Sequence, residues 1–146
     1  MALAAAQVVD AIAALIAPQA NLGAGGVRTS RTWPWAEADL PACRVFASDE
    51  SIEEVDLAGN LNVHTLAVDA EYTLRAVADL DDEMHARASS GLALLFAGSP
   101  PYALSLTGIE RDLATEGEAA VGRITLKLQT TFYVAPSAPE TITSAP

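Results

Sequence analysis

Between Leu61 and Ala76 the chain alternates with a period of two, and no other feature restricts the fold as tightly. His64, Leu66, Val68, Ala70, Tyr72 and Leu74 fall on one face, and Thr65, Asp69, Glu71, Thr73 and Arg75 fall on the other. Successive side chains of a β-strand point to opposite sides, so the pattern specifies a strand with one apolar and one polar face. It continues well past the ~5 to 6 residues of an ordinary strand. A strand of that length is expected to reach beyond its own core.

The flanking segments supply the layers around it. Ala5, Val8, Ile12, Leu15 and Ile16 recur at three- and four-residue spacing, which predicts a helix over 4–16 that ends before Pro18. Asn21 to Gly26 reads as a flexible connection, and Val27 to Thr32 as an edge strand or extended loop. Pro41 can open a short strand over 42–48 without losing a ladder bond. The acidic stretch Asp49 to Asp56 then leads to a turn at 57–60 and into the long strand. Asp79 stands at an N-cap position, with Asp81, Asp82 and Glu83 placing negative charge at the positive end of a helix dipole. Leu80, Met84, Ala88, Leu92 and Leu95 form the stripe of that second helix, and Gly98 to Pro101 ends it. Strands over 104–113 and 121–134 read as a hairpin, and after Val134 periodicity stops among prolines. The expected architecture is α+β: an antiparallel-rich mixed sheet with two helices packed on one face and a long projecting β-hairpin. It forms a single domain over 1–134, followed by a flexible Pro-rich tail over 135–146.

Charge narrows the partners. A net charge of −11 repels phosphate backbones and anionic lipid, so protein is the expected partner rather than nucleic acid or a membrane. Apolar stretches fall short of the roughly 20 residues of a membrane helix, and Gln7 and Asp10 interrupt what would be a signal-peptide core. The expected setting is a soluble protein of a cytoplasm. A hydrophobic content of 51% is ample for a packed core, and with Cys43 as the one cysteine no internal disulfide can form.

No constellation for catalysis stands out. Asp79 to Glu83 lacks the glycine and the closing glutamate of a calcium loop and reads as a solvated helix start. Asp49, Glu50, Glu53, Glu54 and Asp56 put five acids in eight positions, which suits a charged docking face better than a metal site. His64 and His85 share no ligand spacing with a second residue, and Cys43 among apolar neighbours reads as a buried inert thiol, although a Cys43–His64 pair stays open. Neither a nucleophile elbow nor a phosphate loop is present, so no cofactor or metal is expected. Trp33 and Trp35 flank Pro34, with Arg28 and Arg31 upstream; they read either as interface anchors or as a cover over one end of the core.

The order of parts resembles the tail terminator proteins of long-tailed bacteriophages, the lambda-like minor tail protein U family. The resemblance is carried by an Ala-rich first helix, an arginine–aromatic segment, and Glu37-Ala38-Asp39-Leu40-Pro41-Ala42 leading into Arg44-Val45-Phe46. It continues through the acids at Glu53-Glu54, the strand Leu66-Ala67-Val68-Asp69-Ala70, the helix opened by Asp81-Asp82-Glu83, Ile109-Glu110-Arg111-Asp112 and the closing Thr130-Thr131-Phe132-Tyr133-Val134. It spans about residues 4 to 134 and departs at Gly23 to Gly26, at Pro100-Pro101 and after Val134. It implies a non-enzymatic subunit of a hexameric ring at the head-proximal end of a virion tail, assembled in the host cytoplasm. Such a ring caps the tube of tail tube protein, stops its polymerisation and docks a head-completion or neck protein. On that reading Arg28, Arg31, Arg44 and Arg75 are expected to face acids such as Asp49 to Asp56 of an adjacent subunit. Other readings are a head–tail connector of the same joint, a tail tube protein, or a small ligand-binding or hydrolytic domain using Cys43, His64 and the acidic cluster.

Overall fold

The structure is a computed structural model that describes residues 3–29, 34–55, 59–97, 103–116 and 119–143. Its frame is a strongly curled mixed sheet with two helices, an α+β fold. Helix α1 (Ala4–Ile16) is followed by the short strand β1 (Val27–Arg28), a 3-10 turn (Glu37–Asp39) and the long strands β2 (Ala42–Glu54) and β3 (Asn62–Arg75). Helix α2 (Leu80–Leu95) then leads to β4 (Ser105–Glu116), β5 (Ala119–Val134) and the short strand β6 (Ile142–Thr143). The spatial order is β1-β2-β3-β5-β4, with β6 beside β5. Among the described residues only the β1–β2 pair is parallel.

The alternating strand seen in the sequence is the centre of this sheet. β3 pairs with β2 from Asn62 to Thr73 and with β5 over all of Asn62–Arg75. A backbone fixed on both sides satisfies its donors and acceptors without water, as a buried strand requires. Leu66, Val68, Ala70, Tyr72 and Leu74 face the helices together with Cys43 and Val45 of β2 and Ile124, Leu126 and Leu128 of β5. Val8, Ile12 and Ile16 of α1 and Met84, Ala88 and Leu95 of α2 close over them. Each large aliphatic side chain withdrawn from water here contributes about 1.5–3 kcal/mol. Both helices therefore lie on one face, as their stripes require.

Two details differ from the expectation. The strand expected over 42–48 runs on through the acids to Glu54, because the first half of β3 needs a partner on that side. For the same reason the β2–β3 hairpin belongs to the sheet along its length, and no arm standing off the sheet is seen among the described residues. The segment after Val134, expected as a flexible tail, is laid back over 135–143. Ala4 N donates to Pro139 O at 3.1 Å, Gln7 Nε2 donates to Glu140 O at 2.6 Å, and β6 pairs with Tyr133 and Val134. The reason is topological: β4 covers β5 only from Ala119 to Gln129, leaving the end of β5 an edge that β6 fills.

A polar strut crosses the apolar layer. Tyr72 donates its hydroxyl to Gln19 Oε1 at 2.6 Å, and Gln19 Nε2 donates to Arg87 O at 2.9 Å. The strut ties β3 to the segment after α1 and to α2. Gly91 of α2 faces it, and a Cβ at that position would run into the Tyr72 hydroxyl. Gly91 thus accepts the poor helix propensity of glycine in return for this close approach. Gly91→Ala is expected to lower unfolding free energy by about 1–3 kcal/mol despite the better helix propensity of alanine. In the Tyr72→Phe background, which removes the clashing oxygen, the same substitution should cost clearly less, as denaturant melts of the double-mutant cycle will read.

Candidate functional site

The face of the sheet away from the helices carries the arginine–aromatic cluster. β1 is parallel to the start of β2, with Arg28 opposite Arg44, and Trp35, just before the 3-10 turn, lies against both guanidinium groups. Arg28 Cζ lies 4.9 Å and Arg44 Cζ 4.6 Å from a Trp35 ring centroid, within cation–π range. Trp35 is buried with Leu40, Ala42 and Val121 in a second small core. Trp35 is thus covered by residues of its own chain on this face.

Each described arginine of the expected interface set has an acid in its own chain. Arg28 Nη2 lies 3.7 Å from Asp39 Oδ1, Arg44 Nη1 3.9 Å from Glu71 Oε1, and Arg75 Nη1 3.2 Å from Glu37 Oε1. The expectation that these arginines face acids of a neighbouring subunit therefore has to start from groups already paired at home. Arg31, Trp33 and Asp56 lie outside the described residues. Asp49, Glu50, Glu53 and Glu54 are exposed on the far half of β2, and His64 Nδ1 donates to Glu50 Oε2 at 2.7 Å while stacking on Phe132.

Cys43 and His64 do not meet. Cys43 is opposite Tyr72 and His64 opposite Ile52, which separates them along β3 by eight positions, roughly 27 Å at 3.4 Å per residue. Burial holds the Cys43 thiol, and likewise the Tyr72 hydroxyl, well above the ordinary range, so both stay neutral. Among the described residues no group of three or more His, Cys, Asp or Glu side chains is placed to hold a metal ion, and no described helix is long and apolar enough to cross a membrane.

The same polar face holds a ladder of opposed charges. Glu71 lies between Arg44 and Arg123, and Lys127 Nζ sits 2.8 Å from Asp69 Oδ2 and 3.6 Å from Glu110 Oε2. These groups come together because directly opposed residues of adjacent strands share a face: Phe46, Asp69 and Lys127 are one rung, and Arg44, Glu71 and Thr125 the next. Asp69, Glu71, Glu110, Arg123 and Lys127 line a cleft of about 220 Å³ together with Arg111, Asp112 and Thr125.

Compared with known proteins, the chain matches no family model and no curated protein.

What remains distinctive is the pair of sheet edges. β1 covers only Cys43 and Arg44, so among the described residues β2 from Val45 to Glu54 is hydrogen-bonded on one side alone. β4 is the last strand at the other end of the order. Its residues Leu106, Ile109, Arg111 and Leu113 are opposite Leu128, Leu126, Ile124 and Gly122, so they share the helix-bearing face, yet Leu113 is 76% exposed. The sequence analysis placed a strand here and missed this row. The signal was present in the period-two spacing of Ile109, Arg111 and Leu113, but which strand would lack a helix over it is not written in one strand.

The Lys127 ion pair gives a test of the polar ladder. The hydrogen bond to Asp69 holds the ammonium above its ordinary value. A group whose folded value is raised stabilises fully below its unfolded value and loses that contribution as pH climbs through the folded one. Asp69→Asn is therefore expected to cost about 1–2 kcal/mol at neutral pH. The difference from the parent should stay level through pH 9 and shrink above about 10.4, as chemical melts across pH will show.

Proposed function

We propose that the chain is a ring-forming structural subunit of a phage tail, a tail terminator that caps the tube, stops its growth and presents a surface to the head-completion protein. The observation that carries this reading is the pair of unlike sheet edges, one acidic along β2 and one along β4 that exposes Leu106, Ile109 and Leu113 beside charges of both signs. An isologous dimer needs one self-complementary patch, whereas a closed ring needs two different patches on each subunit. The α+β frame, with its helices on one face, agrees with the order of parts in which the terminator resemblance was found.

The electrostatics suit a subunit that must add once. At a net charge of −11 free copies repel one another, and association awaits short-range contacts that a template supplies. With Arg28, Arg44 and Arg75 paired within the chain, Asp49, Glu53 and Glu54 of the β2 edge have no ion-pair partner among the described residues. Tube or neck protein that meets this edge should carry basic groups.

The test is electron microscopy of lysates from the phage with this gene interrupted. Overlong tubes beside tailless filled heads are expected. Tails of normal length that lack heads would move the protein to the neck, and complete particles would remove it from the joint.

A further inference from the structure

We infer that the closing segment 135–143 is a strap that opens as a unit while the sheet and both helices stay folded, and that its opening uncaps α1 and widens the hollow beside His64. The inference concerns the single chain and does not rest on the tail reading above.

The first observation is what α1 lacks. The first four N–H groups of a helix have no partner within it, and a polar N-cap side chain or an acid in the first turn usually serves them. Here Leu3 stands at the N-cap, no side chain caps the helix, and its first turn holds no acid. The strap supplies part of what is missing. Pro139 O accepts from Ala4 N at 3.1 Å, and Glu140 O accepts from Gln7 Nε2 at 2.6 Å.

The second is how little holds the strap in place. None of the residues 135–143 is buried. Ile142, partly buried, packs on the main core; β6 pairs with Tyr133 and Val134 alone, and Thr143 Oγ1 donates to Tyr133 O at 3.5 Å. Few buried apolar contacts and solvent-exposed hydrogen bonds mark a segment that opens at a lower free energy than the whole fold.

The third is its internal order. Ala138 N donates to Ala135 O at 2.9 Å and Thr141 N to Ala138 O at 3.0 Å, so two turns follow one another inside the segment. Pro136 and Pro139 fix φ at two further points. These constraints are local, and the strap keeps them when it leaves the body. Val134, by contrast, is buried and pairs with Asn62 of β3, which sets the hinge just after it.

The fourth is what lies beneath. Pro139 walls a hollow of about 210 Å³ with Leu3, Ala4, Ile52 and His64. Ala4 is 3% exposed under it. One motion of the strap therefore withdraws the cap of α1, opens the hollow toward the His64 ring and bares the end of β5.

The test is thiol labelling of the full chain under native conditions. Cys43, the one cysteine of the chain, is fully buried in the main core and reports global unfolding. Ala4→Cys puts a second thiol beneath the strap, and it is expected to react on the order of a hundredfold faster than Cys43. Ile124→Ala, in the main core, should speed Cys43 at least about tenfold and leave the introduced thiol unchanged. Ile142→Pro, which breaks the β6 pair, should speed the introduced thiol at least about tenfold. Hydrogen exchange gives a reading on the unaltered chain. The Ala4 amide should exchange through an opening with little denaturant dependence, and the Val68 amide of β3 only through global unfolding. Equal rates at the two thiols, an equal response of both to Ile124→Ala, or an introduced thiol indifferent to Ile142→Pro overturns the proposal. So does an Ala4 amide that exchanges only together with that of Val68.

Discussion

The hydrogen bonding of β3 on both sides is what the rest of the molecule is built around. Its partners must be nearly as long as it is, which is why β2 keeps its extended form through Asp49, Glu50, Ser51, Glu53 and Glu54, none of them good strand formers. The register also sorts the chemistry. Each rung places apolar groups under the helices and charged groups on the reverse, so the Arg44–Glu71–Arg123 series and the Asp69–Lys127 pair are assembled by pairing rather than by separate loops. A one-residue slip in any rung would exchange the two faces.

How far this could be read beforehand depended on whether the signal lay within one element. The first helix was legible from 4 to 16 because its stripe is complete in sequence, and so was the long strand with its two faces. The second helix was legible from its acids and its leucines, although Asp79 makes no capping bond with its side chain. Beyond these, information was shared between segments. The strand character of 49–54 comes from β3, the burial of Arg44 comes from Trp35 and Glu71, and the placement of 135–143 comes from the shortfall of β4 against β5. None of these is visible in the residues concerned. The candidate site followed the same division: acids and arginines could be named, but their pairing within the chain could not.

Among the described residues the sheet has two edges that no other strand covers along most of their length. Edge strands are usually blunted by charge, by proline or by a covering segment. Here the acidic half of β2 carries that protection, and β6 covers the end of β5. β4 carries much less of it on its helix-bearing side, where Leu106, Ile109 and Leu113 leave Arg111 as the one charge in the row. A net charge of −11 sets long-range repulsion between copies against pairing at such an edge.

The clasp between α1 and the closing segment has a kinetic meaning. The bond from Gln7 to Glu140 joins positions 133 apart, so its loop-closure entropy is among the largest in the chain. Contacts of that span add nothing to an early nucleus and form once the sheet already holds both ends near each other. A contact of that span therefore depends on the sheet being in place to hold its two ends together. It lies at the rim occupied by Leu3, Glu50, Ile52 and His64, so the first turn of α1 is held from outside the helix by a segment more than 130 positions away.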